Sequence, residues 1–324
     1  MSTDRVRVVM VGAGDFGMRH IATAAALPEL EVVAVADRDA ARAAAAAART
    51  GATAHASLAE ALAGVAVDAV VIATPPAAHA ADLRLAVDRG LPALVEKPVV
   101  TTAAELEELD TLDEAQKALV FPAHVSRFLP TFVAMREHVA GRRIRMIRAV
   151  RIVPAERVAL HGDAHPALSA MVHDLDLIRA LVPERLVHVQ SEQAWTDDSR
   201  PFPQSVIAHL RFADGTIASV DNSWSLPHTR RYIDARMEVL ADGLSASLAL
   251  PGGGLRLDTV DGDFVPDVEL EASAYGLPVG ALATQLRHFA ASVAGRPVER
   301  AVTLDEALWS VRTALTIVEQ HGRD

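Results

Sequence analysis

Gly12, Gly14 and Gly17 stand in the order G-x-G-x-x-G, and Asp37 follows about twenty residues after the last of them. At this spacing each glycine has its own work. The first permits a tight turn, the second lets the backbone approach a pyrophosphate, and the third lets a helix pack close to a strand. Asp15 and Phe16 complete the turn. The free N–H groups that open the following helix attract phosphate oxygens. Asp37 can accept hydrogen bonds from the two hydroxyls of an adenosine ribose, where a 2′-phosphate would meet a like charge. Arg38, next to it, could soften that repulsion or stack on the adenine. The chemistry indicated is dinucleotide binding, with NAD preferred over NADP.

A second candidate is Lys97. It falls where the fourth parallel strand should end, and open α/β sheets bind ligands at that carboxyl edge. An ordinary surface lysine is the competing reading. A functional lysine here would orient or deprotonate a substrate hydroxyl, and a positive nicotinamide nearby would lower its pKa toward working pH. A rigid turn would help to aim it, so the bond before Pro98 is expected to be cis. Further along, His173 and Asp176 are spaced to share one helix face, while Asp174 points elsewhere. His161, Asp163, His165, His173 and Asp174 form a metal-like grouping, but His161 and His165 flank Gly162 and precede Pro166, which indicates a loop. Arg127 has the fork geometry to bind a phosphate or carboxylate, or equally to make a salt bridge.

These residues need elements to hold them. Val6 to Val11 reads as a buried parallel strand, Met18 to Leu27 as a helix closed by Pro28, and Glu31 to Ala36 as a second strand. The alanine-rich stretch from Arg38 to Arg49 has the best helix formers and ends at Gly51. Ser57 caps a helix from Leu58 to Leu62, and Val67 to Ala73 is a strand stopped at Thr74-Pro75-Pro76. A helix from Ala77 to Arg89, a strand Ala93 to Val95, a helix capped by Thr101 or Thr102 and running to about Gln116, and a strand Leu119 to Phe121 complete the alternation. Alternating strands and helices specify an α/β doubly wound parallel sheet of Rossmann type, residues 1–122. After it, residues 123–324 read as an α+β domain with a largely antiparallel open sheet. Its helices are Phe132 to Val139, Ala167 to Leu181, Leu282 to Val293 and Thr303 to Gln320. Its strands are Arg145 to Val153, Val187 to Gln190, Val206 to Phe212, Ile217 to Asn222, Met237 to Leu240, Ala246 to Leu250 and Leu255 to Leu257, with Asp214-Gly215 and Asp242-Gly243 as hairpin turns. Thr303 and Glu306 have the spacing of a capping box.

Composition narrows the classes. The chain has 324 residues, which suggests two domains, and 51% are hydrophobic, which is ample for a core. A formal net charge of −11 argues against nucleic acid and against an anionic membrane surface as partners. There is no cysteine, so disulfides, thiolate zinc sites and cysteine nucleophiles are excluded. No apolar run is long enough to span a bilayer, and the first apolar run leads straight into the glycine turn, so a strand is expected there and not a signal peptide. A cytoplasmic protein is the expectation.

The chain resembles the glucose–fructose oxidoreductase / inositol dehydrogenase (Gfo/Idh/MocA) family over nearly its whole length. The resemblance is carried by the Gly12–Gly17 turn with His20, by Asp68 to Pro76 with His79, and by Glu96-Lys97-Pro98. It continues in His124 to Pro130 and in His173-Asp174-Leu175-Asp176. It implies a nicotinamide enzyme acting on a sugar, cyclitol or related polyol. The segments His124 to Pro130 and Met171 to Leu177 look most like members that act on nucleotide-linked amino sugars. By the same resemblance Thr74, Pro75, His79, Glu96 and Lys97 join the cofactor site, with His20 and His79 supporting its loops. His124, Arg127, Ser169, His173 and Asp176 join Lys97 at the substrate, Lys97 and His173 being catalytic. The family generally uses no metal, so none is expected. Members commonly carry an aspartate one helical turn before the histidine, where this chain has Ser169. Lys97 could then carry the proton alone, Asp174 or Asp176 could substitute, or the reaction could have changed. Lys97 as principal base, with Ser169 contacting substrate, is the reading adopted.

The expected activity is therefore hydride transfer between nicotinamide and a secondary alcohol or ketone. Two alternatives share the same residues. An NAD-dependent glycoside hydrolase acting by transient oxidation would form no net NADH. A non-catalytic regulator binding NAD and sugar would bind without turnover, against which the retained Lys97 argues. One face of the second sheet has few helices left to cover it, so a homodimer or homotetramer is expected.

Overall fold

The computed structural model describes residues 5–155, 164–197, 199–226, 233–250, 257–259, 262–264 and 268–320. Two compact units emerge, Met1–Phe128 with Glu271–Leu308, and Leu129–Leu270 with Trp309–Asp324.

The first unit is built on strands β1 (Val6–Val11), β2 (Leu30–Ala36), β3 (Thr53–His55), β4 (Ala69–Ile72), β5 (Ala93–Glu96) and β6 (Val120–Ala123). They lie in the order β3-β2-β1-β4-β5-β6, and every pairing is parallel. Burial on both faces explains their continuous Val, Ala and Ile runs. The crossing helices are α1 (Asp15–Ala26), α2 (Ala40–Thr50), α3 (Leu58–Gly64), α4 (His79–Asp88), α5 (Ala103–Asp110) and α6 (Glu114–Leu119). The sequence pattern predicts a single helix capped by Thr101 or Thr102 and running to about Gln116; the structure has α5 and α6. Asp113 accepts from the Gln116 N–H and starts a new capping box, which breaks the run. The short edge strand β3 has no sequence counterpart in the expected pattern, because two of its three residues are exposed and it lacks an apolar run.

The chain returns to this unit late. Helix α9 (Ala281–Val293) places Leu286 and Phe289 in the same core as Leu27, Leu30 and Phe121, and the Phe121 and Phe289 rings meet edge to face at 4.9 Å. A single cut after residue 122 leaves α9 with the C-terminal part, whereas residues 271–308, α9 among them, group with the first unit, where α9 buries Leu286 and Phe289.

The second unit holds α7 (Pro130–Val139), α8 (Val172–Leu181) and strands β7 (Ile144–Pro154), β8 (Leu186–Ala194), β9 (Ser205–Phe212), β10 (Ile217–Leu226), β11 (Asp234–Ala241) and β12 (Leu244–Leu250). The sheet order is β12-β11-β7-β10-β9-β8, antiparallel except for the β7–β10 pair. Strict alternation of buried and exposed residues along β9 and β11 leaves one sheet face open among the described residues. Helix α10 (Leu304–Glu319) begins with the expected Thr303–Glu306 capping box.

The expected helix from Ala167 to Leu181 is not α throughout. Residues Ala167–Met171 form a π-turn that leads into α8. A π-turn carries an extra residue per turn, so Ser169 and His173 are not in the plain i, i+4 relation of an α-helix. The expected strand from Leu255 starts outside the described residues, as do His161 and Asp163.

Candidate active site

The glycine turn is shaped by close approach. Gly12 has φ +93°, and a Cβ on it would lie 2.5 Å from the Ala73 carbonyl oxygen; one on Gly17 would lie 2.1 Å from the Gly12 carbonyl oxygen. Gly14 is different, with nothing within 4 Å of where its Cβ would be. It is also the N-cap of α1, which has no side-chain cap, whereas Asp39, Ser57, Thr102 and Asp113 cap α2, α3, α5 and α6. The start of α1 thus has uncapped N–H groups beside open space, the arrangement that accepts a phosphate. Asp15 is exposed and Phe16 half-buried in this turn.

Asp37 follows the end of β2 and already has work in the fold. One carboxylate oxygen accepts from the Ala13 N–H at 2.7 Å and the other from the Asp39 N–H at 2.8 Å. Each oxygen has two acceptor sites, so capacity for a ribose remains. The same carboxylate that would face the ribose therefore also pins the glycine turn. Arg38 is exposed beside it.

At the carboxyl end of β4, Thr74 is half-buried and its Oγ1 has no hydrogen-bond partner among the described residues, while Pro75 is exposed. His79 is fully buried, with Nε2 2.8 Å from the Thr74 carbonyl oxygen and Nδ1 2.9 Å from that of Pro98. Burial pushes its pKa below the ordinary histidine value, while the two carbonyls oppose that shift. Lys97, half-buried, follows the end of β5, and the Lys97–Pro98 bond is cis. Glu96 is buried, and its Oε1 lies 2.7 Å from Nε2 of the fully buried His20. Thr74, Glu96 and Lys97 lie at or just after strand ends on the carboxyl edge of the parallel sheet, and His20 on α1 and His79 on α4 reach them. A glycine cradle, an uncapped helix start and an unpartnered Thr74 hydroxyl make a donor set that fits a dinucleotide.

His124 is fully buried at the end of β6. Arg127 is buried as well, and its Nη1 donates to the Ala301 carbonyl and to Glu306 at 3.2 Å. Glu306 is also the capping-box residue of α10, so the Arg127 fork braces a helix start within the first unit.

In the second unit, His173 is half-buried on α8 and Asp176 is fully buried. Asp174 points to Arg151 on β7, which grips it through Nε at 2.8 Å and Nη2 at 3.0 Å. Ser169, in the π-turn, donates to the His165 carbonyl at 3.1 Å. At the start of that turn His165 Nδ1 accepts from the Ala167 N–H, and its Nε2 lies 3.1 Å from Gln193 Oε1. Among the described residues no group of three His, Asp or Glu side chains is placed to hold a metal. Arg151 went unmarked in the sequence, although it shares the inward parity of Ile147, Ala149 and Val153 along β7, which signals a buried charge in need of a partner.

Fold and site together define a Rossmann protein that binds a nicotinamide dinucleotide. The family model for oxidoreductases with an NAD-binding Rossmann fold (GFO_IDH_MocA) matches residues 6–124, and that for the GFO/IDH/MocA C-terminal domain matches residues 145–246. Inositol 2-dehydrogenase 1 of Saccharopolyspora erythraea is 31% identical over 272 residues, 80% of each chain. UDP-N-acetylglucosamine 3-dehydrogenase of Acidithiobacillus ferrooxidans is 29% identical over 217 residues, 66% of each chain. A crystal structure of a myo-inositol dehydrogenase from Corynebacterium glutamicum shares the fold, with a TM-score of 0.80 at 24% identity over 98% of this chain and 96% of that one. The chain belongs to the Gfo/Idh/MocA family and is an NAD-dependent oxidoreductase.

Proposed function

We propose that the protein transfers a hydride between NAD and a secondary alcohol or ketone of a cyclitol, sugar or sugar nucleotide, with Lys97 exchanging the hydroxyl proton. The nicotinamide, when bound, supplies the hydride acceptor or donor. In oxidation the Lys97 amine takes the proton from the substrate hydroxyl; in reduction its ammonium returns it. His173 is the second group assigned to that proton, with Ser169 and Asp176 as substrate contacts. The turn from Gly12 to Gly17 holds the pyrophosphate, and Asp37 selects NAD by repelling a 2′-phosphate. The observation that carries this reading is Lys97 itself, half-buried at the sheet edge where ligands bind, one residue from a buried carboxylate. Relatives named for inositol and for UDP-N-acetylglucosamine support cyclitols and sugar nucleotides as the substrate class. The test is a panel of myo-inositol, other polyols and UDP-N-acetylglucosamine with NAD, read at the NADH absorbance. Turnover of one of these with NAD is expected; binding of NAD with no turnover across the panel would overturn the reading.

We infer likewise that the open face of the second-unit sheet pairs with another copy of the chain, giving a homodimer or homotetramer. Leu240, Met146 and Ile217 stand side by side across β11, β7 and β10, and Leu240 and Ile217 are 38% and 46% exposed. A clean monomer by light scattering at micromolar concentration would overturn this.

A further inference from the structure

Lys97 extends from a backbone that is tied on both sides. On one side, Glu96 Oε2 accepts from the Lys97 N–H at 3.2 Å, and Glu96 Oε1 lies 2.7 Å from His20 Nε2. Both side chains are buried, His20 completely. The other ring nitrogen of His20, Nδ1, has no hydrogen-bond partner among the described residues. A carboxylate only accepts, so the ring proton belongs on Nε2, directed at Glu96. On the other side, the Pro98 carbonyl lies against the His79 ring, which also meets the Thr74 carbonyl.

We propose that His20, Glu96 and His79 are positioning residues that clamp the Lys97 backbone and so aim its amine. The inference rests on the reading of Lys97 as the proton-exchanging group. A buried carboxylate and a buried histidine are a poor choice for stability alone, because well-packed apolar side chains of similar volume often serve as well or better. They make sense where a fixed acceptor must hold a particular N–H. The placement adds a second consequence. His20 sits on α1, the helix whose uncapped start faces the phosphate site, and its ring meets Phe16 of the glycine turn edge to face at 5.4 Å. The His20–Glu96 bond therefore ties the cofactor-binding helix directly to the strand that carries Lys97. Seating of the dinucleotide on α1 and the aim of the lysine share one hydrogen bond.

The test separates hydrogen bonding from bulk. His20→Leu removes the donor and keeps an apolar side chain of useful size; His20→Gln keeps an N–H donor. Hydrogen exchange at the Lys97 amide is followed in the full chain without substrate. It should quicken about tenfold in His20→Leu, the factor one net hydrogen bond is worth, and recover in His20→Gln. With myo-inositol or UDP-N-acetylglucosamine held saturating and NAD varied, kcat should fall about tenfold in His20→Leu with a smaller rise in KM for NAD, and His20→Gln should restore most of both. Glu96→Met must reproduce the leucine result and Glu96→Gln must not, because the amide oxygen still accepts from the Lys97 N–H while its NH2 donates to the His20 ring with the ring proton moved to Nδ1. This keeps the test open should His20→Leu fail to fold. Equal behaviour of Leu and Gln variants, or unchanged amide exchange in His20→Leu and Glu96→Met, would overturn the clamp. Lys97→Ala run in parallel distinguishes the failures. Full activity in Lys97→Ala removes the proton-transfer reading, whereas the exchange measurement judges the clamp by itself.

Discussion

Each unit pairs a residue assigned to proton transfer with a buried carboxylate next to it in sequence. In the first, Glu96 precedes Lys97; in the second, Asp174 follows His173. The carboxylates are held differently. Glu96 divides its oxygens between a histidine ring and the Lys97 N–H, so it acts on the backbone of the functional residue itself. Asp174 gives both oxygens to the Arg151 fork, a closed bidentate pair that anchors α8 to β7. One carboxylate adjusts a single residue and the other secures an element. Burial with pairing is common to both, and the partner decides whether the pair serves aim or stability.

Mutations can break or sharpen that contrast. The largest effect expected is from Lys97→Ala, which should lower turnover by about 10²–10⁴ with NAD binding little changed, as measured by steady-state kinetics and cofactor titration. His173→Ala should lower turnover by a smaller or similar factor. Next is Arg151→Leu, which strands the Asp174 carboxylate in the interior and should cost about 3–5 kcal/mol of stability in denaturant unfolding. The double variant Arg151→Met with Asp174→Leu should recover most of that loss. Failure to recover would mean that the pair does more than anchor α8, and the contrast with Glu96 would collapse.

Asp37→Ser should weaken NAD binding by about tenfold, because it removes a charged acceptor from the Ala13 N–H, and should narrow the preference over NADP. Comparable catalytic efficiency of the unaltered chain with both cofactors would sink the role given to Asp37. The smallest effect concerns a carboxylate with an unpartnered oxygen. Asp221 Oδ1 has no hydrogen-bond partner among the described residues, and burial raises its pKa above the ordinary 3.8, against a small opposing pull from His209. The folded chain therefore binds a proton that the unfolded chain has released. The resulting penalty is absent below 3.8 and complete above the raised folded value. Asp221→Asn should raise the melting temperature by ~1–2 °C at neutral pH, with the gain fading as pH falls toward 3.8. A loss of stability at neutral pH would show a partner for Asp221 that burial alone does not reveal.

Much of the first unit was legible because its signals are local. The glycine spacing, the acid after β2, the caps Ser57 and Thr102 and the Thr303–Glu306 box all lie within one element or one turn of where they act. Misreadings arose where a local rule met a competing one. Asp113 restarts a helix that the apolar pattern carries through, and the π-turn before α8 shifts Ser169 relative to His173 without any glycine or proline inside it to announce the change. Arg127 shows the limit from the other side: its type suits an anion, and the Glu306 carboxylate it meets lies far away in the chain.

The amino-acid sequence by itself determined the dinucleotide turn, the alternation of strand and helix, and Lys97 at a strand end, since each depends on neighbours a few residues away. Only the tertiary structure decided what the buried charges touch. His20 and Glu96 are 76 residues apart, Arg151 and Asp174 are 23 apart, and α9 reaches Phe121 from near the end of the chain. Such pairs follow from strand order and from which face each helix buries. Propensity and spacing leave those open, because many topologies satisfy the same local preferences and only burial of the whole apolar surface selects among them.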